Sequence, residues 1–512
     1  MRGQWTRRDF LTLTGAGAVT LGLAACSAGE GDAEGADGDP SSGDGDDAGG
    51  RSPDGVIAEG DVPDRELIMG WISEVFSQGV RRPGYPADVW AEEWIAERFR
   101  DIGLEDVRLE PIQLTRWEPT EWSLEVAAGS ETRSLDCFPV PYAAPTEGLQ
   151  AELAALDSAR PEAVAGKGSL YDVTLLNIPA DLMATAGSAP DDITGRVIDP
   201  EGTLKGSQHL IPFGGDFQDV LEPSIEAGAT LFIGSLKGYP GDSYRYFVPY
   251  DGIDRPIPGV WVSGTDGAWL RDRLAEGPVQ VTLTVETEAT PHESYNVVGE
   301  LRGADDETVM IASHHDGPWS SAVEDSSGIS LVLAQATYWA AQPVEDRPHR
   351  LLFLLQAGHM FGGAGLHGYI DAHRDELDSV VLEVHLEHAA REFAETDGEL
   401  APTGQPVPRW FFTSRLPHLE QAVSAALETE ELHRSMILAP DAFGTQPPTD
   451  GAFYHSEGVP VMNFLSAPFY LFDEMDTLDK IDEDNLVPLT RATIRIVDST
   501  KGMTAAEFRA GA

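Results

Sequence analysis

The strongest constraint on this fold is a regular alternation of short apolar runs with helical stretches from about residue 295 onward. The runs predicted as strands are 308–313, 350–355, 379–386 and 459–464, and the stretches predicted as helices are 326–341, 362–373 and 416–428. The run 350–355 is almost continuously apolar, as expected for a strand that is buried on both faces. This alternation predicts an α/β domain with a mostly parallel sheet and helices on both of its faces.

The residues before 295 are predicted to form two further parts. Residues 65–76 and 86–102 have helical spacing, and Gly103 stands where a helix C-cap is expected. From about 150 to 290, short strands alternate with turns, in the order of a GRV strand, a helix ending in AGA, the run IPGVWVS and an alternating strand. This order is similar to that of protease-associated domains, which are non-catalytic inserts in several peptidase families. We therefore predict a β-rich insert at 150–290 between two parts of one peptidase-like domain, 61–149 and 291–505.

The first 26 residues have the pattern of an export signal. Arg7 and Arg8 begin a twin-arginine motif, an apolar stretch covers 13–25, and Leu-Ala-Ala precedes Cys26 as in a lipobox. We expect twin-arginine export and a lipid anchor on Cys26 at the extracytoplasmic face of the cell membrane. An uncleaved anchor helix is the alternative, although the stretch is short for a membrane span. Residues 27–60 are rich in Gly, Asp and Ser, which predicts a disordered linker.

The charge of the chain excludes one class of partner. There are 34 Lys and Arg against 86 Asp and Glu, which gives a formal net charge of −52. Such a surface repels nucleic acid, so we expect no nucleic-acid partner. The two cysteines, Cys26 and Cys137, are too few for a disulfide framework.

Polar residues gather directly after the predicted strands. The segments are SHHDG at 313–317, EDSSG at 324–328, GHM at 358–360 and HLEH at 385–388. The carboxyl ends of parallel strands share one edge of a sheet, and buried charges are costly unless they are paired or bind a metal. Because imidazole and carboxylate are ligands for zinc and similar ions, the sequence predicts a metal site at this edge.

The chain resembles the metallopeptidase family of bacterial leucyl aminopeptidases and glutamate carboxypeptidase in the runs NVVGELRG, VMIASHHDG, LLFLLQAGHMFGGAGLHG and GVPVMNF. The resemblance extends over 293–485 and implies a zinc hydrolase that cleaves peptide or related amide bonds. It also implies two zinc ions that share a bridging carboxylate. One ion is further held by a histidine and a later acidic residue, and the other by a glutamate and a later histidine.

One of the two implied metal positions keeps residues that can bind metal. The resemblance implies that His314 is a ligand and that Asp316 is its orienting carboxylate. It places Glu324 at the bridging ligand and Glu387 at the later acidic ligand, and Asp325 is an equally near alternative to Glu324. We expect His314, Glu324 and Glu387 to hold one zinc ion, since three protein ligands and an open position form the catalytic arrangement.

The other implied position has lost its ligands. Met360 and Phe472 stand where that ion would be held, and neither side chain binds a hard divalent ion. Both losses fall on the same ion, which favours a single-metal variant over random decay. His359 stands at the general base and is expected to take the proton, with His388 as the alternative.

Each of these residues also has a structural interpretation. His314 with Asp316 fits a hydrogen-bonded core pair, Glu324 a helix N-terminal acid and Glu387 a buried ion pair. A structural or substrate-contacting role is open for His359. The spacing selects none of the further histidines as a replacement ligand, and two aspartates are expected to fix loops near the site; these residues are His315, His385, His388, His455, Asp450 and Asp476.

Three functions follow from these observations. The first is a metal-dependent hydrolase of peptides or other amides outside the cytoplasmic membrane. The second is a catalytically inactive lipoprotein that keeps the fold as a binding or scaffold protein. The third is a relative that cyclises N-terminal glutamine with one zinc, which is less favoured because that zinc uses the ligands lost here.

Overall fold

The computed structural model describes residues 57–510, except 59, 182–195, 213–216, 397 and 443–448. The predicted signal and nearly all of the predicted linker therefore lie outside the described residues. The helices are α1 (Arg65–Phe76), α2 (Pro86–Ile102), α3 (Glu222–Glu226), α4 (Gly264–Glu276), α5 (Gly328–Ala341), α6 (Ala364–Ala372), α7 (Pro417–Thr429), α8 (Ala452–Ser456), α9 (Leu486–Asp498) and α10 (Ala505–Ala510).

The strands lie between these helices, in runs of one to eight. They are β1 (Glu105–Ala128), β2 (Glu131–Leu135), β3 (Phe138–Pro139), β4 (Thr146–Ala155), β5 (Gly168–Val173), β6 (Asn177–Pro179), β7 (Val197–Ile198), β8 (Gln208–Leu210), β9 (Leu231–Leu236), β10 (Gly259–Ser263), β11 (Val279–Leu301), β12 (Thr308–His314), β13 (Arg350–Gln356), β14 (Val380–Leu386), β15 (Arg391–Thr396), β16 (Glu399–Pro406), β17 (Arg409–Thr413), β18 (Ser435–Leu438) and β19 (Val461–Ser466).

One large sheet carries the fold. Within the described residues it joins fifteen strands, in the order β3-β10-β9-β5-β4-β11-β13-β12-β14-β19-β17-β18-β7, with β1 on β11 and β2 on β1. The neighbours β13, β12, β14 and β19 run parallel to one another. Helices pack against this sheet, α6 among them through Leu366, Tyr369 and Ile370. The predicted α/β fold class is confirmed, and four carboxyl strand ends lie side by side.

The first two helices begin and end where the sequence predicts. The Asp64 carboxylate accepts a hydrogen bond of 2.8 Å from the backbone N–H of Leu67 and so caps α1. Pro86 opens α2, and Gly103 ends it with a φ of 98°, which a residue with a Cβ rarely adopts. These helix ends follow from local chemistry alone.

The strands that follow α2 differ from the expectation. The sequence predicts two short strands, at 107–114 and 122–127, whereas β1 is one strand of 24 residues paired antiparallel with β11. The register shifts between Pro119 and Glu121. Proline has no N–H for the ladder, so it produces an irregularity in a strand that otherwise continues.

The strands of the predicted insert continue the same sheet. β5, β9 and β10 are parallel to one another, and β9 is fully buried. The boundaries predicted at 150 and 290 fall inside β4 and β11, and residues 60–512 form one compact unit. The identity of this segment as a protease-associated insert stays a prediction. In the described ranges, none of the helices has the length and apolar character needed to cross a membrane.

Candidate metal centre

The polar segments predicted from the sequence meet at the carboxyl ends of the parallel strands. His314 is the last residue of β12, and Glu387 and His388 directly follow β14. His359 lies in the turn after β13, and Glu324 in the loop before α5. The side chains of His314 and Glu324 are fully buried, whereas His359 is 14% exposed. This edge of the sheet is the predicted place of the site.

Glu324 lies among three imidazoles. Its Oε1 is 3.5 Å from His314 Nε2 and 3.6 Å from His359 Nε2, and its Oε2 is 2.6 Å from His388 Nε2. Asp325, the alternative ligand, instead accepts hydrogen bonds from the Ser313 hydroxyl and from the backbone N–H of Gly328. The loop therefore turns Glu324 toward the histidines and uses Asp325 to join the loop to β12 and α5.

Glu387 lies mainly beside His385. Its Oε1 is 3.0 Å from His385 Nε2, and the other nitrogen of that ring is 3.0 Å from Glu383 Oε1. Glu387 Oε2 is 4.0 Å from His388 Nε2. The structure thus brings His314 and Glu324 directly together, and it connects Glu387 to them through His388.

Arg81 holds the loop that carries Glu324. This fully buried guanidinium donates hydrogen bonds to the backbone carbonyls of His315 (3.0 Å), Ser321 (3.1 Å) and Glu324 (3.2 Å). It also donates to the carbonyl of Ser320. Four carbonyls of one loop are therefore fixed by a single side chain from the segment between α1 and α2.

Asp476 holds the same loop from the amide side. Its carboxylate accepts hydrogen bonds of 2.8 Å from the backbone N–H groups of Val323 and Glu324. The sequence predicts that this aspartate fixes a loop near the site, and these contacts have that effect. Backbone donors and acceptors of the Glu324 loop are thus satisfied by opposite charges on its two sides.

Asp316 orients the site in a different way from the one implied by the resemblance. Its backbone carbonyl, rather than its carboxylate, accepts the 2.9 Å hydrogen bond from His314 Nδ1. The carboxylate accepts from the backbone N–H groups of His359 (2.9 Å) and Met360 (2.7 Å), which leaves it 3.9 Å from the His314 ring. Asp316 therefore ties the loop after β12 to the turn that carries His359.

The protonation of the imidazoles follows from their neighbours. Burial alone would lower the pKa of His359, but the adjacent Asp450 carboxylate raises it to about 10. The pKa of His388 is likewise raised to about 10, because Glu324 outweighs the effect of burial. Burial and the neighbouring imidazoles hold the pKa of His314 well below its usual value. His314 is thus neutral, with Nδ1 donating its hydrogen and Nε2 free to bind a cation.

The implied second metal position is filled by apolar side chains. Met360 is fully buried and Phe472 is 3% exposed. The Phe472 ring lies 5.0 Å from the ring of Tyr250, which in turn stacks on His359 at 5.4 Å. The side chains of Met360 and Phe472 cannot bind a hard cation. The structure therefore gives no reason to place a second ion on these two residues.

The remaining donors fit a divalent ion. Several buried polar atoms here make no well-directed hydrogen bond within the part of the chain that the structure describes, although some lie within ion-pair distance of one another; they are His314 Nε2, Glu324 Oε1 and Oε2, Glu387 Oε1, and His388 Nε2. Buried polar atoms without a well-directed hydrogen bond are costly, and a cation between them would remove that cost. The set is imidazole and carboxylate, the chemistry that zinc binds.

Two contributors to the site were not identified from the sequence. Arg81 lies in the connection SQGVRRPGY between two helices, far from every motif, and nothing in that run distinguishes it from the neighbouring Arg82. Tyr250 belongs to the predicted insert, where no motif marks it. Arg81 contacts His315 and Tyr250 contacts His359, and in each pair the two residues are more than 70 positions apart in the sequence. Only the tertiary fold brings them together.

Sequence comparison gives partial matches to known peptidases. Residues 296–497 match the model of peptidase family M28. Leucine aminopeptidase 2 of Arthroderma otae is 23% identical over 227 residues, which cover 44% of this chain and 37% of that protein. Carboxypeptidase Q of Bos taurus is 24% identical over 315 residues, which cover 58% of this chain and 59% of that protein. The chain thus spans less than two thirds of the length of these curated relatives.

Structural comparison extends the match to most of the chain. A peptidase M28 precursor from Shewanella amazonensis has a TM-score of 0.66 at 18% identity, covering 86% of this chain and 94% of that one. BSAP, a zinc aminopeptidase from Bacillus subtilis, has a TM-score of 0.60 at 16% identity, covering 85% and 95%. The chain therefore has the α/β fold of these peptidases, with an imidazole–carboxylate cluster at its sheet edge. Within this fold, residues 296–497 are the part of the chain that is similar to peptidase family M28.

Proposed function

We propose that this chain is a metal-dependent hydrolase of the aminopeptidase type, which cleaves peptide or related amide bonds with one zinc ion. The observation that carries this proposal is the buried Glu324 carboxylate with the Nε2 atoms of three imidazoles around it, those of His314, His359 and His388. His314 and Glu324 are the first two ligands, and the end of β14 supplies the third, for which the sequence predicts Glu387. The family of residues 296–497 and the names of the relatives support the reaction class.

The residues around this position divide the remaining tasks. A zinc ion, when bound, supplies the Lewis acidity that lets water attack an amide near neutral pH. His359 is placed to hold and transfer a proton at Nε2, since its Nδ1 lies 2.9 Å from Asp450 Oδ1 and its side chain is the most exposed of the cluster's imidazoles. Asp316 keeps the backbone of His359 in place through the 2.9 Å hydrogen bond to its N–H.

A substrate panel tests this function. The full-length protein is assayed on aminoacyl amides with a set of N-terminal side chains, with and without a chelator. We expect turnover that the chelator removes, that added zinc restores, and that His314→Ala abolishes, whereas His455→Ala outside the cluster keeps it. Turnover that persists in excess chelator contradicts the proposal.

A second candidate function is a binding protein without turnover. The observation that favours it is the aromatic layer of Tyr250 and Phe472, which fills half of a centre that holds two ions in the implied family arrangement. Under this alternative the protein binds one zinc ion and unfolds cooperatively, yet it turns over no member of the panel at any metal concentration. The same assay therefore separates the two candidates.

We also propose that the chain is exported through the twin-arginine pathway and anchored by a lipid on Cys26. The support is the order of Arg7-Arg8, a short apolar stretch and Leu-Ala-Ala-Cys in the sequence. A hydrolase with this address would meet its peptides outside the cytoplasmic membrane. Twin-arginine export carries folded proteins, so zinc could be bound before export.

A further inference from the structure

The histidines of the cluster share one arrangement. Each has its Nδ1 within hydrogen-bond distance of an oxygen and its Nε2 directed toward a glutamate. The oxygen partners are Asp316 O for His314, Asp450 Oδ1 for His359, Glu383 Oε1 for His385 and Ser466 O for His388.

For His314 and His388 the partner is a backbone carbonyl, which can only accept. Nδ1 must therefore carry the hydrogen, and a neutral ring then presents its lone pair at Nε2. An Nδ1–H held by a carbonyl is the usual way in which proteins orient a metal-binding histidine. His314 is thus ready to bind a cation through Nε2, and His388 does so once the incoming ion displaces its Nε2 proton, which the 2.6 Å contact with Glu324 otherwise stabilises.

Ligand atoms of His314, Glu324 and His359 lie within 4.8 Å of one another, which is close enough to share an ion. The orientation of the two imidazoles is nevertheless unfavourable for this. The two rings stack with centroids 4.1 Å apart and planes only 10° from parallel. Their in-plane lone pairs run side by side and do not converge on a common point. This geometry leaves His359 beside the ion and suits the proton transfer proposed for it.

His388 approaches the same carboxylate from the other side. Its Nε2 lies 2.6 Å from Glu324 Oε2 and 4.0 Å from Glu387 Oε2, so it contacts the bridging position and the end of β14 together. Glu387, in contrast, has one oxygen 3.0 Å from the ring of His385. At the end of β14, His388 is therefore the residue that contacts Glu324 directly, whereas Glu387 contacts His385.

We propose that His388 is the third protein ligand of the zinc ion, together with His314 and Glu324. Two imidazoles, one glutamate and an open position form a known catalytic zinc arrangement. Glu387, paired with His385, then acts from outside the ligand set and adds negative charge beside the ion. This inference rests on the proposed function only in requiring a bound ion.

Zinc affinity of the full-length protein tests the assignment. The apo protein is prepared with a chelator, and the dissociation constant is measured by competition with a chromophoric chelator. His388→Asn keeps an amide N–H near the position of Nδ1, which can still donate to the Ser466 carbonyl, but it has no group at the position of Nε2. Glu387→Gln is the matched variant, and His455→Asn outside the cluster controls for the loss of a histidine.

We expect His388→Asn to weaken zinc binding by more than about 100-fold, since the loss of an outer partner alone costs about 10- to 100-fold. Glu387→Gln stays within that lower range, and His455→Asn binds as the unchanged protein does. The visible absorption of the cobalt-substituted protein also changes for His388→Asn, because one nitrogen ligand is lost.

The assignment is overturned if His388→Asn binds zinc as tightly as Glu387→Gln or more tightly. If the unchanged protein binds no zinc, both this assignment and the proposed function are wrong. If His388→Asn still binds zinc with the affinity of Glu387→Gln, only this assignment is wrong. Circular dichroism of the chelated proteins establishes that the variants are folded. If His388→Asn does not fold, His388→Gln is held to the same criterion.

Discussion

Asp450 Oδ1 lies 2.9 Å from His359 Nδ1, and His359 is the most exposed imidazole of the described cluster. The carboxylate fixes the ring so that Nε2 faces the Glu324 side of the site. The pair therefore resembles a proton-transfer group with its orienting carboxylate more than a metal-binding pair.

Replacing Asp450 by Asn tests this role. We expect Asp450→Asn to lower kcat by about 100-fold, the scale of general acid–base catalysis, with little change in KM. Zinc content measured by emission spectrometry stays at the level of the unchanged protein. His359→Gln is expected to give a similar loss, and the double variant no more than either alone, because the two residues act as a unit. Additive losses in the double variant contradict the pairing.

Replacing Arg81 by Lys tests the anchoring of the Glu324 loop. Lysine cannot reach four carbonyls in a fixed plane, so buried acceptors are left unpaired. We expect a loss of about 2–3 kcal/mol in the free energy of unfolding of the apo protein, by urea denaturation. The surface variant Arg65→Lys, whose side chain is 59% exposed, changes it by less than about 0.5 kcal/mol. If the two variants lower the free energy of unfolding equally, the hydrogen bonds of Arg81 to the Glu324 loop do not contribute more to stability than a surface contact does.

His209 predicts a defined pH dependence of stability. It is buried in β8 with its ring edge-on to Trp410, and burial lowers its pKa from 6.5 to about 4. Between about pH 6.5 and 4, His209 is protonated in the unfolded chain but not in the folded chain. The free energy of unfolding therefore falls as the pH drops through this range. The full loss from this group is about 3 kcal/mol, since each pKa unit corresponds to about 1.4 kcal/mol.

The measurement is urea denaturation at several pH values for the unchanged protein and for His209→Gln. We expect a shallower pH dependence for the variant between pH 6.5 and 4, whatever its stability at neutral pH. Parallel curves for the two proteins would show that His209 does not titrate in this way.

The proposed lipid anchor predicts that labelling by fatty acid and membrane association both depend on Cys26. Cells that express the chain incorporate labelled fatty acid into it, and Cys26→Ser removes the label and releases the protein from the membrane fraction. Cys137→Ser keeps the label, because Cys137 is buried and burial raises its pKa to about 12. Label that persists in Cys26→Ser contradicts the lipobox interpretation.

The fold could be predicted from the sequence where local chemistry determines structure. The bounds of α1 and α2 follow from Asp64, Pro86 and Gly103, and the parallel core follows from apolar runs such as that of β13. The long β1–β11 pairing did not follow, because its continuation past Pro119 depends on the partner strand and not on local pattern. Strand length was thus set by tertiary pairing.

The site could be predicted as a place and as a set of residue types. His314, Glu324, His359 and Glu387 all lie at the predicted sheet edge. Their mutual contacts could not be read, because Glu387 and His388 are adjacent in sequence and the backbone turn after β14 decides which of them faces Glu324. Arg81 and Tyr250 reach the site through packing between distant segments, which no spacing reveals.

The central claim is that one divalent ion is held where Glu324 meets the imidazoles of His314 and His388. Elemental analysis of the purified full-length protein, dialysed against metal-free buffer after loading with zinc, measures this most directly. We predict one zinc per chain, reduced to none in Glu324→Ala. Two ions per chain would contradict the single-metal account, and a protein that holds no zinc would contradict the metal centre itself.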